Sequence, residues 1–297
     1  MSDFTASLRV GEPYPGIFAY YDGRIEGRRL HSDRPNWLDD GAYSLGIASY
    51  AILDGVEALV YDTHMSLAHA AAIRDHLEAL GARSIRVVLS HWHTDHIAGN
   101  AAFADCEIVA LKGTADAMAA NREKLENGDP PIAPVVMPTR LFETKLELAV
   151  GKRRIELHHF DIHSADGNVL WLPDEGILLA GDTLEDTVTY ISEPQNIATH
   201  IRELERMRKL PIKRILPNHG ALERIAGGGY EPTLIDANRR YLIAMSDVAA
   251  GKMDPDHDLA SFVADDIATG AILYFAPYES VHAENIVAVL SGSKPER

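Results

Sequence analysis

Ile85-Arg86-Val87-Val88-Leu89-Ser90-His91-Trp92-His93-Thr94-Asp95-His96 runs an apolar, strand-like segment directly into three imidazoles and a carboxylate. Histidines at i and i+2 leaving a strand end can converge on one cation. The Asp-His that follows can reach a second cation a few ångströms away. A borderline divalent metal takes imidazole nitrogen and carboxylate oxygen at about 2 Å, usually with four ligands. The stretch therefore predicts a metal-dependent hydrolase. It also predicts that ligands are missing from it, because a two-metal site needs roughly six or seven protein donors.

Composition narrows the partners. The 297 residues suffice for one large domain or two small ones with a buried core. Asp and Glu outnumber Lys and Arg by 44 to 28, and the resulting net charge of -16 repels phosphate backbones. A small molecule, rather than nucleic acid, is the expected substrate. Cys106 is the single cysteine, which excludes an intrachain disulfide and a thiolate zinc site. Residues 1–15 lack a basic segment followed by an apolar one, and no apolar run approaches the roughly 18 residues of a membrane span. The expectation is a cytoplasmic protein with no membrane partner.

Along the chain, β-like runs and helical spacing alternate. Gly16–Tyr21, Leu45–Leu53 and Ala58–Asp62 read as strands. Ser66–Leu80 has apolar residues at helical spacing and Gly81 as its stop. Ile85–Leu89 is a strand, Asp95–Phe103 a helix, Glu107–Leu111 a strand and Thr114–Glu126 a helix. Asn127–Thr139, with Pro130, Pro131, Pro134 and Pro138, reads as a loop or extended crossing. Arg154–Phe160, Asn168–Leu172, Ile177–Ala180 and Arg214–Leu216 follow as strands. Helices are expected at Asn196–Leu210, Glu231–Ala250, Leu259–Thr269 and Ser280–Leu290. The order suggests two similar halves, each a sheet covered by helices on one side.

Three downstream residues suit the missing ligands. His163 ends the run Ile155–Ile162, Asp182 follows Ile177-Leu178-Leu179-Ala180-Gly181, and His219 follows Ile215-Leu216-Pro217-Asn218. Each opens a loop just past a β-like run, where side chains can converge on one rim of a sheet sandwich. His158 and His159 compete with His163.

Ser90-His91-Trp92-His93-Thr94-Asp95-His96 resembles the His-x-His-x-Asp-His signature of the metallo-β-lactamase superfamily. His163, Gly181-Asp182 and Asn218-His219-Gly220 resemble its later motifs, in the order and at intervals similar to the glyoxalase II and lactonase branches. The resemblance also decides for His163 over His158 and His159, because the turn after it and Asn168–Pro173 match the family's loop-then-strand pattern, which leaves the other two as strand residues facing opposite sides. Asp62-Thr63 resembles an early Asp-Thr-Gly turn, with His64 in place of the glycine. The likeness spans about residues 16–225. It implies an α/β fold, a four-layer αβ/βα sandwich, with a catalytic domain over 1–230 and a helical C-terminal extension over 231–297. It also implies two divalent metal ions, zinc foremost, with iron or manganese as alternatives. His91, His93 and His163 would hold the first ion. Asp95, His96 and His219 would hold the second, and Asp182 would bridge them. A hydroxide between the ions would attack a small ester, thioester, lactone or lactam, with Asp95 also shuttling a proton.

Within the superfamily, His93 disfavours the redox flavodiiron type, which carries glutamate there. Asp182 at the bridging position differs from the cysteine of subclass B1 β-lactamases, although His163–Pro173 looks like the β-lactamase version of its motif. A metal-dependent phosphodiesterase and a non-catalytic ligand sensor on the same fold remain alternatives. Other residues are read more plainly. Asp62 is expected to orient a ligand, His64 is left open between a position near the site and an exposed one, and Glu185 and Asp186 are read as solvated or capping groups. His31, His200 and His257 are read as surface residues. Ser44, Ser90 and Ser164 lack a nucleophile-elbow pattern, so serine hydrolysis is not expected. Trp37, in the charged stretch 22–43, is either part of a substrate flap or pinned to the body. The 127–145 segment is a second candidate substrate loop. Tyr274, Phe275, Tyr278 and His282 are expected to pack or to support a homo-oligomer contact.

Overall fold

Two sheets carry the fold in the computed structural model, which describes residues 4–292. The first has β1 (Arg9–Tyr14), β2 (Ile17–Asp22), β3 (Ile47–Asp54), β4 (Glu57–Tyr61), β5 (Ser84–Val88), β6 (Glu107–Leu111) and β7 (Arg140–Phe142), side by side in that order. β1 to β4 pair antiparallel and β4 to β7 pair parallel. Parallel neighbours need crossovers. These are supplied by α1 (Leu67–Ala79) after β4, α2 (Thr94–Ile97) after β5, and α3 (Lys112–Ala120) with α4 (Arg122–Glu126) after β6.

The second sheet runs β8 (Lys145–Val150), β9 (Arg153–His159), β10 (Asn168–Leu172), β11 (Ile177–Gly181) and β12 (Arg214–Pro217). Only β11 and β12 are parallel, and α5 (Ile197–Met207) connects them. Beyond β12 come α6 (Leu222–Ala226), α7 (Thr233–Ala249), α8 (Leu259–Phe262), α9 (Ala264–Thr269) and α10 (Tyr278–Ser291).

Period-2 alternation decides which face each residue takes. In β4, Ala58 and Val60 pack outward with Ala70, Ile73 and Leu77 of α1, whereas Leu59 and Tyr61 face the second sheet. Ile108 and Ala110 of β6 repeat the outward set, and Val109 and Leu111 the inward one. All of Val169–Leu172 in β10 is buried, with α5 and α7 sharing its core. Helices, sheet, sheet and helices thus form the four-layer αβ/βα sandwich expected from the sequence. Among the described residues, no helix is long and apolar enough to cross a membrane.

Three tyrosines bridge the two sheets. The hydroxyls of Tyr21, Tyr50 and Tyr61 donate to the carbonyls of Gly220 (2.9 Å), Pro217 (2.6 Å) and Asn168 (2.5 Å). Burial raises all three phenol pKa values, so each stays a neutral donor. They fix the rim where β4, β5, β11 and β12 end.

The expected helix over Asp95–Phe103 is broken. α2 ends at Ile97, and a 3₁₀ turn covers Asn100–Phe103. The His96 carbonyl, which a continuing helix would use, instead accepts from the Thr63 N–H (2.8 Å) and the Thr63 hydroxyl (3.0 Å). Gly99 passes so close to this turn that a Cβ there would stand 2.1 Å from the Thr63 carbonyl oxygen. β1, β7 and β8 were not expected, and β7 takes over the end of the 127–145 segment read as a loop. Trp37 begins a π-helical turn, Trp37–Tyr43, that lies against α2. Its indole N–H donates to the Pro130 carbonyl at 2.8 Å, tying the 22–43 stretch to the proline-rich crossing.

Candidate metal centre

Strand ends bring the seven residues singled out in the sequence together. Asp62 follows β4 and His91 follows β5. Asp182 follows β11 and His219 follows β12, so parallel neighbours in each sheet open their C-terminal ends onto one rim. In open α/β sheets this is where ligands bind. His93, Asp95 and His96 surround the start of α2, and His163 sits in the turn between β9 and β10.

The donor atoms interlock. His93 Nδ1 stands 3.0 Å from His91 Nε2 and 3.0 Å from His163 Nε2. Asp95 faces His219 Nε2 at 3.2 Å and His96 Nε2 at 3.5 Å. Asp182 Oδ2 lies between both groups, 3.1 Å from His96, 3.5 Å from His219, 3.7 Å from His91 and 3.8 Å from His163. Asp182 Oδ1 is buried and has no hydrogen-bond partner among the described residues. His91, His96, His163, Asp182 and His219 are buried, whereas His93 and Asp95 are half-buried, so the centre meets solvent on their side.

The outer edges of the rings are already committed. His163 Nδ1 donates to the Tyr190 carbonyl at 3.0 Å and His219 Nδ1 to the Gly46 carbonyl at 2.8 Å. A carbonyl only accepts, so these bonds place the proton on Nδ1 and leave Nε2 to face inward. His96 Nδ1 meets Asp62 Oδ2 at 2.9 Å. His91 Nδ1 contacts Ser90 Oγ at 2.9 Å. Metal-binding histidines characteristically have their second nitrogen fixed in this way.

Protein charges alone set two patterns of protonation. Burial pushes His91 far below the usual histidine range and His163 down to about 4, so both are neutral lone-pair donors. Burial also disfavours charge on His219 and His96, but Asp182 and Asp95 outweigh it. They push His219 up to about 9 and hold His96 well above its ordinary value. Burial works against the Asp182 carboxylate too, yet His96 and His219 hold it down at about 2. Asp95 is lowered by His96 and His219 in spite of its burial. The set suits divalent cations: five imidazole nitrogens and two carboxylates, clustered, with one buried carboxylate oxygen otherwise unused.

Backbone strain gathers here. Asp62 (φ 65°), His64 (φ 68°) and His163 (φ 66°) adopt the left-handed conformation that side chains disfavour. His64, read as the replacement for a glycine, keeps the glycine-like backbone. Its ring is fully buried and stacks on His69 at 4.4 Å. The exposed alternative for His64 is therefore set aside.

Asp62 takes the orienting position expected of it. Buried, it accepts from the Ser90 N–H (2.6 Å) and the Asn218 amide (2.6 Å) while meeting His96. Glu185 and Asp186 correct the sequence reading, because both are buried rather than solvated. Burial, with Asp182 nearby, raises Glu185 to about 7. Burial raises Asp186 to about 6, against hydrogen bonds from Tyr230 and the Leu273 N–H. Glu185 Oε1 accepts from the Tyr190 N–H at 2.9 Å and lies 3.5 Å from His163 Nδ1. His200 is buried as well, not on the surface, whereas His257 is exposed.

The C-terminal helix reaches the centre through this network. Tyr278 donates to Glu185 Oε2 at 3.2 Å. Asn285 of α10 accepts from the Ile191 N–H (2.8 Å) and donates to the Thr189 carbonyl (2.9 Å), bracketing the Tyr190 carbonyl that orients His163. The Asn285→Ala variant is expected to weaken metal binding about tenfold, the low end for losing a supporting contact. Competition against a chromophoric chelator measures this, and unchanged affinity would count against the link.

Comparison with known proteins follows the same lines. Residues 44–219 match the metallo-beta-lactamase superfamily model. A beta-lactamase-like protein 2 homolog from Caenorhabditis elegans is 26% identical over 183 residues, which is 61% of this chain and only 58% of that relative's length. A metallo-beta-lactamase from Pontibacter korlensis superposes with a TM-score of 0.62 at 17% identity, covering 80% of this chain and 99% of its own. The DIM-1 metallo-beta-lactamase gives 0.59 at 18%, covering 78% and 95%. At such identities the structural likeness speaks for the fold alone. With the family match spanning the His91–His96 motif through His219, the chain belongs to the metallo-β-lactamase superfamily.

Proposed function

We propose that this protein is a metal-dependent hydrolase whose centre takes two divalent ions, zinc foremost, and acts on a small ester, thioester, lactone or lactam. The observation that carries the reading is the inward convergence of ring nitrogens on Asp182, with the outer nitrogens of His96, His163 and His219 fixed by Asp62, Tyr190 and Gly46. His96 and His219 would give up the proton they otherwise carry on the inward side when a cation binds. In this reading His91, His93 and His163 would hold one ion, Asp95, His96 and His219 would hold the other, and Asp182 would serve both. Bound divalent ions supply acidified water and polarisation of the carbonyl under attack.

The chain's own part is to place and protect. Buried His91, His96 and His219 exclude bulk water from one side of the centre, which strengthens every charge interaction there. Asp95, half-buried and held ionised, would take the proton released by the attacking water and deliver it to the oxygen, sulfur or nitrogen of the leaving group as the acyl bond breaks. Asp62 and Asn218 keep the His96 ring from turning.

Dialysis against a strong chelator is expected to abolish hydrolysis, and readdition of zinc to restore it. Screening lactone, thioester, aryl ester and lactam substrates alongside bis-p-nitrophenyl phosphate identifies the substrate class. Full activity in metal-free protein would overturn the reading. Turnover of the phosphodiester alone would replace the acyl substrate with a phosphate ester.

A further inference from the structure

We propose that Asp161, Glu193 and His200 form a separate cation site that takes a divalent metal such as zinc. Their donor atoms lie within 4.8 Å of one another, and none of the three belongs to the centre built around Asp182. They come from three places: the segment after β9, the turn before α5, and α5 itself.

His200 points to a ligand. It is 1% exposed, yet its Nε2 has no hydrogen-bond partner among the described residues, and neither does the buried Asp161 Oδ1. The two atoms face each other at 3.4 Å. A charge-assisted imidazole–carboxylate bond closes to about 2.7–2.9 Å. Two ligands of one tetrahedral zinc, with bonds of about 2.0–2.1 Å, stand about 3.3 Å apart. The Asp161–His200 spacing matches the second arrangement and falls within the 3.1–3.8 Å range of His–Asp182 spacings in the main centre.

Glu193 is held ready for the same role. Its Oε1 accepts from the Ala165 N–H at 3.2 Å and its Oε2 from the Asn196 amide at 2.7 Å. An ionised carboxylate has about four lone-pair positions, so two remain. The side chain of Asp161 is 26% exposed, which gives a cation a route in and room for water ligands. A bound ion would tie β9 to α5 beside His163, whose carbonyl accepts from Ser192 next to Glu193.

The test is zinc content by elemental mass spectrometry after equilibration in buffered micromolar free zinc. The wild type is compared with Glu193→Gln, Asp161→Asn and His200→Gln, each first checked for folding by circular dichroism. Each variant is expected to hold one zinc fewer per chain and to lose part of the zinc-induced rise in melting temperature. Equal zinc content and an equal thermal shift in all folded variants would overturn the proposal and leave an ordinary ion pair. Should His200→Gln fail to fold, the half-buried Glu193→Gln decides. Because the readout is a difference from wild type, it stands whatever number of ions the main centre holds.

Discussion

The Asp182→Asn variant is expected to lose at least about a thousandfold in turnover, equivalent to about 4 kcal/mol of lost transition-state stabilisation. The volume is nearly unchanged, so the effect is electrostatic and hydrogen-bonding rather than steric. Asp182 Oδ2 lies within 3.8 Å of ring nitrogens from His91, His96, His163 and His219, a position that no other carboxylate in the centre shares. An amide there would remove the negative charge that offsets the two dications of the proposed centre. It also presents N–H groups or a neutral oxygen to nitrogens whose lone pairs must face inward. Metal content should fall along with turnover. Both are measured on one preparation, by elemental analysis and by steady-state kinetics on the substrate identified in the screen. Near-wild-type turnover with full metal occupancy would remove Asp182 from the role proposed for it.

His93 and Asp95 are expected to respond differently from Asp182, because they are the half-buried members of the set. On the proposed function, theirs is the side open to a substrate. Substitutions of the buried members are therefore expected to act mainly on metal retention, and those of Asp95 on proton transfer as well. This division follows from accessibility rather than from residue type, which is why the sequence could name the seven residues without ranking them.

The centre was legible because its residues follow apolar runs. His91, Asp182 and His219 each lie just past a strand whose C-terminal end is buried, and that regularity reflects how parallel strands share a rim. What supports them was less visible. His163 and His219 are oriented by the backbone carbonyls of Tyr190 and Gly46, and a carbonyl leaves no trace in residue identity. Glu185 and Asp186 looked solvated because acidic pairs usually are. Their burial comes from α10 and the segment around Leu273, distant in sequence. For His200 the signal was present but unused. Ile197, His200, Leu204 and Met207 fall on one helical face, and all four are buried. β8 likewise carried Leu146, Leu148 and Val150 in alternation, whereas edge strand β1 offers no such pattern in Arg9–Tyr14. The break after α2 depends on Thr63 capturing the His96 carbonyl, a long-range contact that helical periodicity overlooks.

Asp62→Ala is expected to be the most damaging change outside the seven residues, costing stability and metal affinity together. Asp62 is fully buried and holds three groups: the Ser90 N–H, the Asn218 amide and the His96 ring. Removing the carboxylate strands two buried donors and leaves His96, whose raised pKa depends in part on Asp62, short of a counter-charge. Breaking one side of such a buried arrangement costs about 3–5 kcal/mol, a fall of roughly 10 °C in melting temperature for a domain of this size. Loss of the ring's orientation should add a 10–100-fold drop in metal affinity. The Asp62→Asn variant separates the two effects. Its amide oxygen can still accept from Ser90, so part of the stability should return, while the missing charge keeps His96 poorly supported and metal affinity low. Urea unfolding and chelator competition on both variants supply the numbers. If Asp62→Ala melted within a degree or two of wild type and bound metal equally well, the Asp62–His96–Asn218 network would be incidental to the centre.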